Sequence, residues 1–230
     1  MKLFRFLIAF IIVSFLGISP AKGQAHYEGN FFIGAKGGID FSRVFFNPGV
    51  KQKFPIGAIV GLQARYIEEN HFGIIAELNF EQRGWEENFE DAPFNYRRTL
   101  NYIQLPILSH IYFGSDRAHF FFNAGPEIGL MIGESTSANF DYKNLESVPD
   151  FPIKDRQIDQ LTIEAGKKLD FGISAGLGGE YFVNSRNSLT LECRFYYGLG
   201  NIIKTGRTET FSSANSMSLM VSIGYWFRIK

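Results

Sequence analysis

MSLMVSIGYWFRI, Met217 to Ile229, is the stretch on which the fold turns. Met217, Leu219, Val221, Ile223, Tyr225, Phe227 and Ile229 take one parity, while Ser218, Ser222, Gly224 and Arg228 take the other, with Met220 and Trp226 out of place. Successive strand side chains point to opposite faces, so the stretch has one greasy and one polar face. Seven further stretches upstream follow the same rule: Ile33 to Phe41, Ile56 to Tyr66, Phe72 to Gln82, Leu100 to Phe113, Phe120 to Leu130, Leu169 to Tyr181 and Leu189 to Leu199. Ile56 to Tyr66 is the loosest, and Phe72 to Gln82 has only Ile75 on the wrong side. Helical spacing fits none of them well.

Period two does not say whether the greasy face looks into a barrel around a ligand or outward to lipid. Side-chain volume decides. Phe, Ile, Leu and Tyr fill the apolar parity, whereas the other carries Gly34, Gly38, Gly57, Gly61, Gly73, Gly125, Gly129, Gly172, Gly176, Gly178 and Gly224. Small residues suit a narrow lumen; the bulky set would not fit there. About ten residues per strand, tilted near 40°, span roughly 25 Å, the height of the apolar band in outer-membrane barrels. Connections alternate strictly. Glu68 to His71, Gly114 to Ala118 and Asn184 to Asn187 are short, whereas Arg43 to Phe54, Gly84 to Thr99, Ile132 to Lys168 and Asn201 to Ser213 are long. The expectation is an all-β fold, an eight-stranded antiparallel up-and-down transmembrane β-barrel with tight periplasmic turns and long extracellular loops. Tyr66, Phe72, Tyr112, Phe113, Phe120, Tyr181, Tyr225 and Phe227 cluster beside the short turns as an inner aromatic girdle.

The polar parity also carries charge: Lys36, Asp40, Arg65, Glu77, Glu81, Arg83, Glu127, Asp170, Glu180, Glu192, Arg194 and Arg228. On a wet surface these would be ordinary solvated groups. Inside a lumen they must pair, because an unpaired buried charge costs several kcal/mol. The expectation is an internal ion-pair network with Arg65, Arg83, Arg194 and Arg228 as hubs, since a guanidinium fork can serve two carboxylates. Such a plug argues against an open pore. Pro106 and Pro126 each lack a ladder donor, so either they mark a bulge or an unpaired site, or the strands around them are shorter than drawn.

Met1 to about Ala25 has the form of a signal peptide: Lys2 and Arg5, an apolar run from Leu3 to Ile18, then Ala21-Lys22-Gly23 or Gly23-Gln24-Ala25 as a small-residue cleavage site. The run is shorter than the roughly 20 residues of a membrane helix. Residues 26–230 then form one barrel domain. The 230-residue chain has a formal net charge of zero, which leaves no electrostatic case for nucleic acid. Its single cysteine, Cys193, cannot form an internal disulfide and sits on the apolar parity, buried or facing lipid.

Chemistry is sparse. Ser109 and His110 are adjacent in a strand and face opposite ways, so they cannot act as nucleophile and base. His26, His71, His110 and His119 lack ligand spacing, and no phosphate-loop or dinucleotide fingerprint is present, so no cofactor, metal or enzymatic turnover is expected. Loop residues are the better candidates. Trp85, Phe89, Phe94 and Tyr96 offer exposed aromatic anchors, joined by Tyr142 and Phe151 in the longest loop with Asp141, Lys143, Glu146, Asp150, Lys154, Asp155 and Arg156. They either bind a surface partner or extend an upper girdle.

NYIQLPILSHIYFGSDRAHFFFNAGPEIGLMIG, Asn101 to Gly133, followed by DFGISAGLGGEYF and LECRFYYGLGNII between Asp170 and Ile203, resembles the PorT-like outer-membrane β-barrel proteins of Bacteroidetes. The shared pattern is aromatic-x-x-x-Pro-x-Leu, Ala-Gly-Pro, Asp-Phe-Gly and a closing Tyr-Gly-Leu-x-Asn. The resemblance implies an eight-stranded barrel and, as one functional option, an accessory part in type IX protein secretion. Apart from the resemblance, a narrow porin or solute channel stands as a rival reading. Ser222, Gly224, Phe227 and Ile229 look like the β-signal read by the barrel assembly machinery, although the chain ends in Lys230 rather than an aromatic residue. The expected partners are therefore outer-membrane lipid, that machinery during biogenesis, and a secretion-system or surface partner.

Overall fold

The computed structural model describes residues 29–90, 92–152, 157–163, 165–203 and 210–230. The expected leader, Met1 to Ala25, and the loop residues Lys154, Asp155 and Arg156 lie outside them. Eight long strands form the wall: β1 (Asn30–Asn47), β3 (Ile56–Glu69), β4 (Phe72–Glu87), β5 (Tyr96–Ser115), β6 (Ala118–Ala138), β7 (Leu169–Phe182), β8 (Asn187–Asn201) and β9 (Ser213–Arg228). A two-residue strand, β2 (Gln52–Lys53), pairs with β4 above the start of β3. Every neighbour is antiparallel, β4 pairs with β5, and β1 pairs with β9 from Phe32↔Arg228 to Asn47↔Ser213, so the sheet closes into a ring. Closure leaves no edge, the condition for strands in lipid.

Alternation sets which residues face which way. Outward positions such as Ile33, Leu62, Ile74, Leu105, Ile128, Leu177, Leu191 and Ile223 are exposed, while their strand neighbours face a lumen and are buried or, as at Gly34 and Gly61, half-buried. Met220, Trp226 and Ile75, out of place in the sequence pattern, all turn inward and are buried. Glycine makes the lumen roomy enough for its aromatics: a Cβ on Gly172 would lie 2.7 Å from the Tyr196 ring, and one on Gly178 2.5 Å from the Phe121 ring.

Three expectations change. Tyr112 does not join the inner girdle: it shares parity with His110 and is buried in the lumen, whereas Tyr66, Phe72, Phe113, Phe120, Tyr181, Tyr225 and Phe227 are exposed to the outside. The strands run past the apolar belt, so the long connections are shorter than expected: β4 extends to Glu87, β5 begins at Tyr96 and β6 reaches Ala138. Proline interrupts the ladders without bending the register. Pairing between β4 and β5 skips from Ala76↔Ile107 to Asn79↔Gln104 beside Pro106, and between β5 and β6 from Pro106↔Glu127 to Ser109↔Ala124 beside Pro126. Both gaps keep the same offset, which makes them unpaired sites rather than bulges; the β5–β6 bulge lies instead at Asn101/Tyr102.

Candidate functional site

Lumen side chains stack in tiers because each strand contributes one inward residue every second position. Nearest the short turns, Arg65 makes a two-pronged bond to Glu180, 2.7 and 2.8 Å, and Ser188 Oγ donates to the same carboxylate at 2.5 Å. The guanidinium is held between the Phe32 and Trp226 rings, 4.4 and 4.6 Å from their centroids. Around it, Phe32, Ile67, Ile75, Leu108, Tyr112, Phe121 and Trp226 form an apolar plug.

The middle tier centres on Glu77. Lys36 Nζ donates to it at 2.6 Å, Arg194 grips it with two bonds of 2.7 and 2.8 Å, and Arg194 also reaches Glu192 at 2.8 Å. Asn123 joins the two tiers, donating to Glu192 Oε1 at 2.8 Å while its Oδ1 lies 2.7 Å from His110 Nδ1. The other ring nitrogen of His110 lies 3.5 Å from Arg65. Between these tiers a cavity of about 10 Å³, lined by residues including Arg65, Glu77, His110 and Trp226, has room for no more than a single water.

The upper tier surrounds Arg83 with Glu81 at 2.6 Å, Glu127 at 2.5 Å and Asp170 at 3.4 Å, the guanidinium lying 3.8 Å over the Tyr196 ring. Ser174 Oγ donates to Glu127 at 2.6 Å, and the Ser218 hydroxyl lies 3.3 Å from Asp40 and 3.2 Å from Glu81. The two lower tiers balance their charges; here three carboxylates, Glu81, Glu127 and Asp170, share Arg83, and a fourth, Asp40, joins the tier through Ser218.

Above this tier the long connections fold over the mouth of the barrel. Val44, Phe46, Trp85, Phe89, Tyr96, Leu100, Tyr102, Phe151, Leu161, Ile202, Ile203 and Phe211 belong to one buried apolar cluster. Phe89, Phe94, Phe140 and Phe151 pack mutually, every pair of ring centroids lying between 5.1 and 5.9 Å apart. Polar ties fix the cap to the wall. Tyr96 Oη donates to Leu161 O at 2.8 Å, Arg98 to Ile163 O at 2.5 Å and Glu134 at 2.8 Å, and Gln160 Nε2 to Glu87 at 3.0 Å.

The expected charged residues therefore fall as follows. Lys36, Asp40, Arg65, Glu77, Glu81, Arg83, Glu127, Asp170, Glu180, Glu192 and Arg194 are buried in the tiers. Arg228 is not a hub. It ends β9 half-buried, donating to Asn30 Oδ1 and to the Lys230 backbone oxygen, because the inward parity leaves the lumen at the strand end. The aromatic anchors also need correction: Trp85, Phe89, Tyr96 and Phe151 are buried and Phe94 and Tyr142 half-buried, all packed into the cap. Ser222 and Gly224 point inward, with Phe227 and Ile229 exposed outside. Cys193 is exposed on the outer wall. Sequence reading passed over His110, Asn123, Ser174, Ser188, Tyr196 and Ser218 as network members, although Tyr196 shares its parity with Glu192 and Arg194.

The family described as outer membrane protein beta-barrel domain matches residues 22–204. The chain belongs to that family. Its place is accordingly the outer membrane, and the match stops short of β9, the strand that closes the ring. No curated protein matches the sequence. Among solved structures, the outer membrane protein OprG from Pseudomonas aeruginosa is similar with a TM-score of 0.51 and 13% identity, over 88% of this chain and 98% of that one. Neisserial surface protein A matches over 86% and 98% of the two chains, with a TM-score of 0.42 and 12% identity. At 13% identity the likeness to OprG concerns the fold alone.

Proposed function

We propose that this outer-membrane barrel is a non-enzymatic, non-conducting scaffold that works through the outer surface of its cap. The observation that carries the reading is occlusion of the lumen at every level, by the apolar plug, the ion-paired tiers and the cap in turn. A hydrated ion entering would have to break charge pairs that are desolvated on all sides, each of which costs several kcal/mol to separate. His110 supports the non-enzymatic half: its ring is buried, stacked on Tyr112, and its two nitrogens face Asn123 and Arg65, while Ser109 faces the other way. With the aromatics used in packing, a partner would meet the polar crown, where Asp141, Lys143, Glu146 and Asp150 are exposed. Planar-bilayer recording of the purified chain tests the reading. No discrete conductance is expected, and reproducible channel steps would favour a solute channel instead.

The narrower kinship with PorT-like proteins of Bacteroidetes, and with it an accessory part in type IX secretion, is supported by the phrases around Pro106, Pro126, Asp170 and Tyr197. Co-purification with export components and loss of secreted cargo on deletion would support it; unchanged secretion would remove it. The signal-peptide reading of Met1 to Ala25 belongs with this proposal, and amino-terminal sequencing of protein recovered from outer membranes tests it.

A further inference from the structure

The outer wall carries a row of charges that neither the lumen nor the cap uses. Arg43 on β1, Lys53 on β2, Glu86 on β4 and Arg97 on β5 occupy adjacent columns near the extracellular edge of the lipid-facing belt. Glu86 is the register partner of both Lys53 and Arg97. On the far side of β2, Val44 N donates to Gln52 Oε1 at 3.1 Å and Ser42 N to Pro55 O at 3.3 Å, which sets Arg43 beside Lys53 and Phe54. The strand neighbours of Arg43, Glu86 and Arg97, namely Ser42, Val44, Trp85, Glu87, Tyr96 and Arg98, are buried, so those three sit on the outward parity, and Lys53 shares it as the register partner of Glu86. At about 4.8 Å per strand the row is roughly 14 Å wide.

Its surroundings are those of a membrane interface. The Arg43 guanidinium lies 4.9 Å over the Phe45 ring and 5.4 Å over Phe54, with its Nε buried and unpartnered. Arg97 donates to Ile56 O at 2.5 Å. Phe45, Phe54 and Ile56 are 40%, 52% and 55% exposed beside them. Three cations and one carboxylate make up the row, beside exposed apolar side chains as at the rim of a barrel's apolar band.

We propose that this row binds the phosphate groups of an outer-leaflet lipid, with the acyl chains lying against Phe54 and Ile56. A guanidinium fork matches phosphate oxygens, and two forks with an ammonium between them suit a headgroup bearing more than one phosphate. The apolar neighbours select a lipid over a soluble anion, which would gain nothing from Phe54 and Ile56.

The test uses the full folded chain in mild detergent, incubated with bisphosphorylated lipid A or with phosphatidylcholine and examined by native mass spectrometry. Wild type is expected to keep the bisphosphate under activation that strips phosphatidylcholine. Arg43→Gln combined with Arg97→Gln should lower retention about tenfold or more, since each basic residue near an anionic surface contributes on the order of fivefold. Glu86→Gln should raise it. Because Arg97 also holds Ile56, Lys53→Gln serves as a second variant and should lower retention several-fold while heat-modifiable gel migration stays unchanged. Equal retention of the two lipids by wild type, unaltered retention in Lys53→Gln, or a fall in Glu86→Gln would overturn the proposal.

Discussion

Lys36–Glu77 in the lumen and Lys51–Glu90 in the long loops are ion pairs of the same length, 2.6 Å, yet their side chains are 3% and 1% exposed in one case and 68% and 61% in the other. The comparison extends to the regions around them. In the lumen, charge is the filling, and each group is held in place by strand parity and by a partner on another strand. In the cap, the filling is mainly aromatic and aliphatic, with Arg98 and Glu87 buried where it meets the wall and charges such as Lys51 and Glu90 left on the rim. A lumen lined by eight strands can use buried ions because the wall fixes them at hydrogen-bond distance before water is lost. Loops have no such frame, so they close by apolar burial, which needs no direction.

The largest effect should come from removing the cation that most carboxylates share. Arg83→Leu leaves Glu81, Glu127 and Asp170 facing one another and should cost about 3–5 kcal/mol, read as a lower urea midpoint for unfolding from lipid bilayers. A loss under about 1 kcal/mol would mean that lumen charges are not what holds the wall together. Phe89→Ala should cost about 3 kcal/mol, but of the cap alone, so limited proteolysis would open the loops while gel migration still reports a folded barrel. If barrel and cap instead melted as one, the two regions would not be separable.

Direction through the wall provides the third contrast. Ile223→Arg places charge in lipid and should cost about 2 kcal/mol or more, whereas Ser222→Arg is limited by lumen space; equal tolerance at both positions would contradict the face assignment. The smallest effect belongs to Lys51→Ala, which should change stability by no more than about 0.5 kcal/mol despite its 2.6 Å bond, measured in the same urea titration.

The wall was legible because period two is a local signal. Ile223, Leu219 and Tyr225 declare the outward face within a dozen residues, and the buried positions of Glu77, Glu81 and Arg83 follow from Leu78 and Phe80 beside them. Parity even sorted the exceptions, since Met220, Trp226 and Ile75 all point inward as their positions require. The same rule, applied strictly, would also have moved Tyr112 off the girdle and added Tyr196 to the network. The cap was not legible. Phe46 packs on Phe211, and Phe89 on Phe140 and Phe151, across all four long connections, whose mutual placement no short-range pattern encodes. A loop aromatic therefore read as exposed. Arg228 departs from its expected place for the opposite reason: parity continues past the point where the lumen ends.

Phe32 lies opposite Arg228, and Asn47 opposite Ser213, so the earliest and latest strands are stitched to each other along their whole length. No partial chain can seal itself: until β9 has been made, both β1 and β8 offer a free row of amides and carbonyls that would pair with any passing strand. Delivery to the membrane must therefore shelter two open borders at once, and a truncation anywhere beyond Asn201 should leave a sticky half-cylinder rather than a smaller tube.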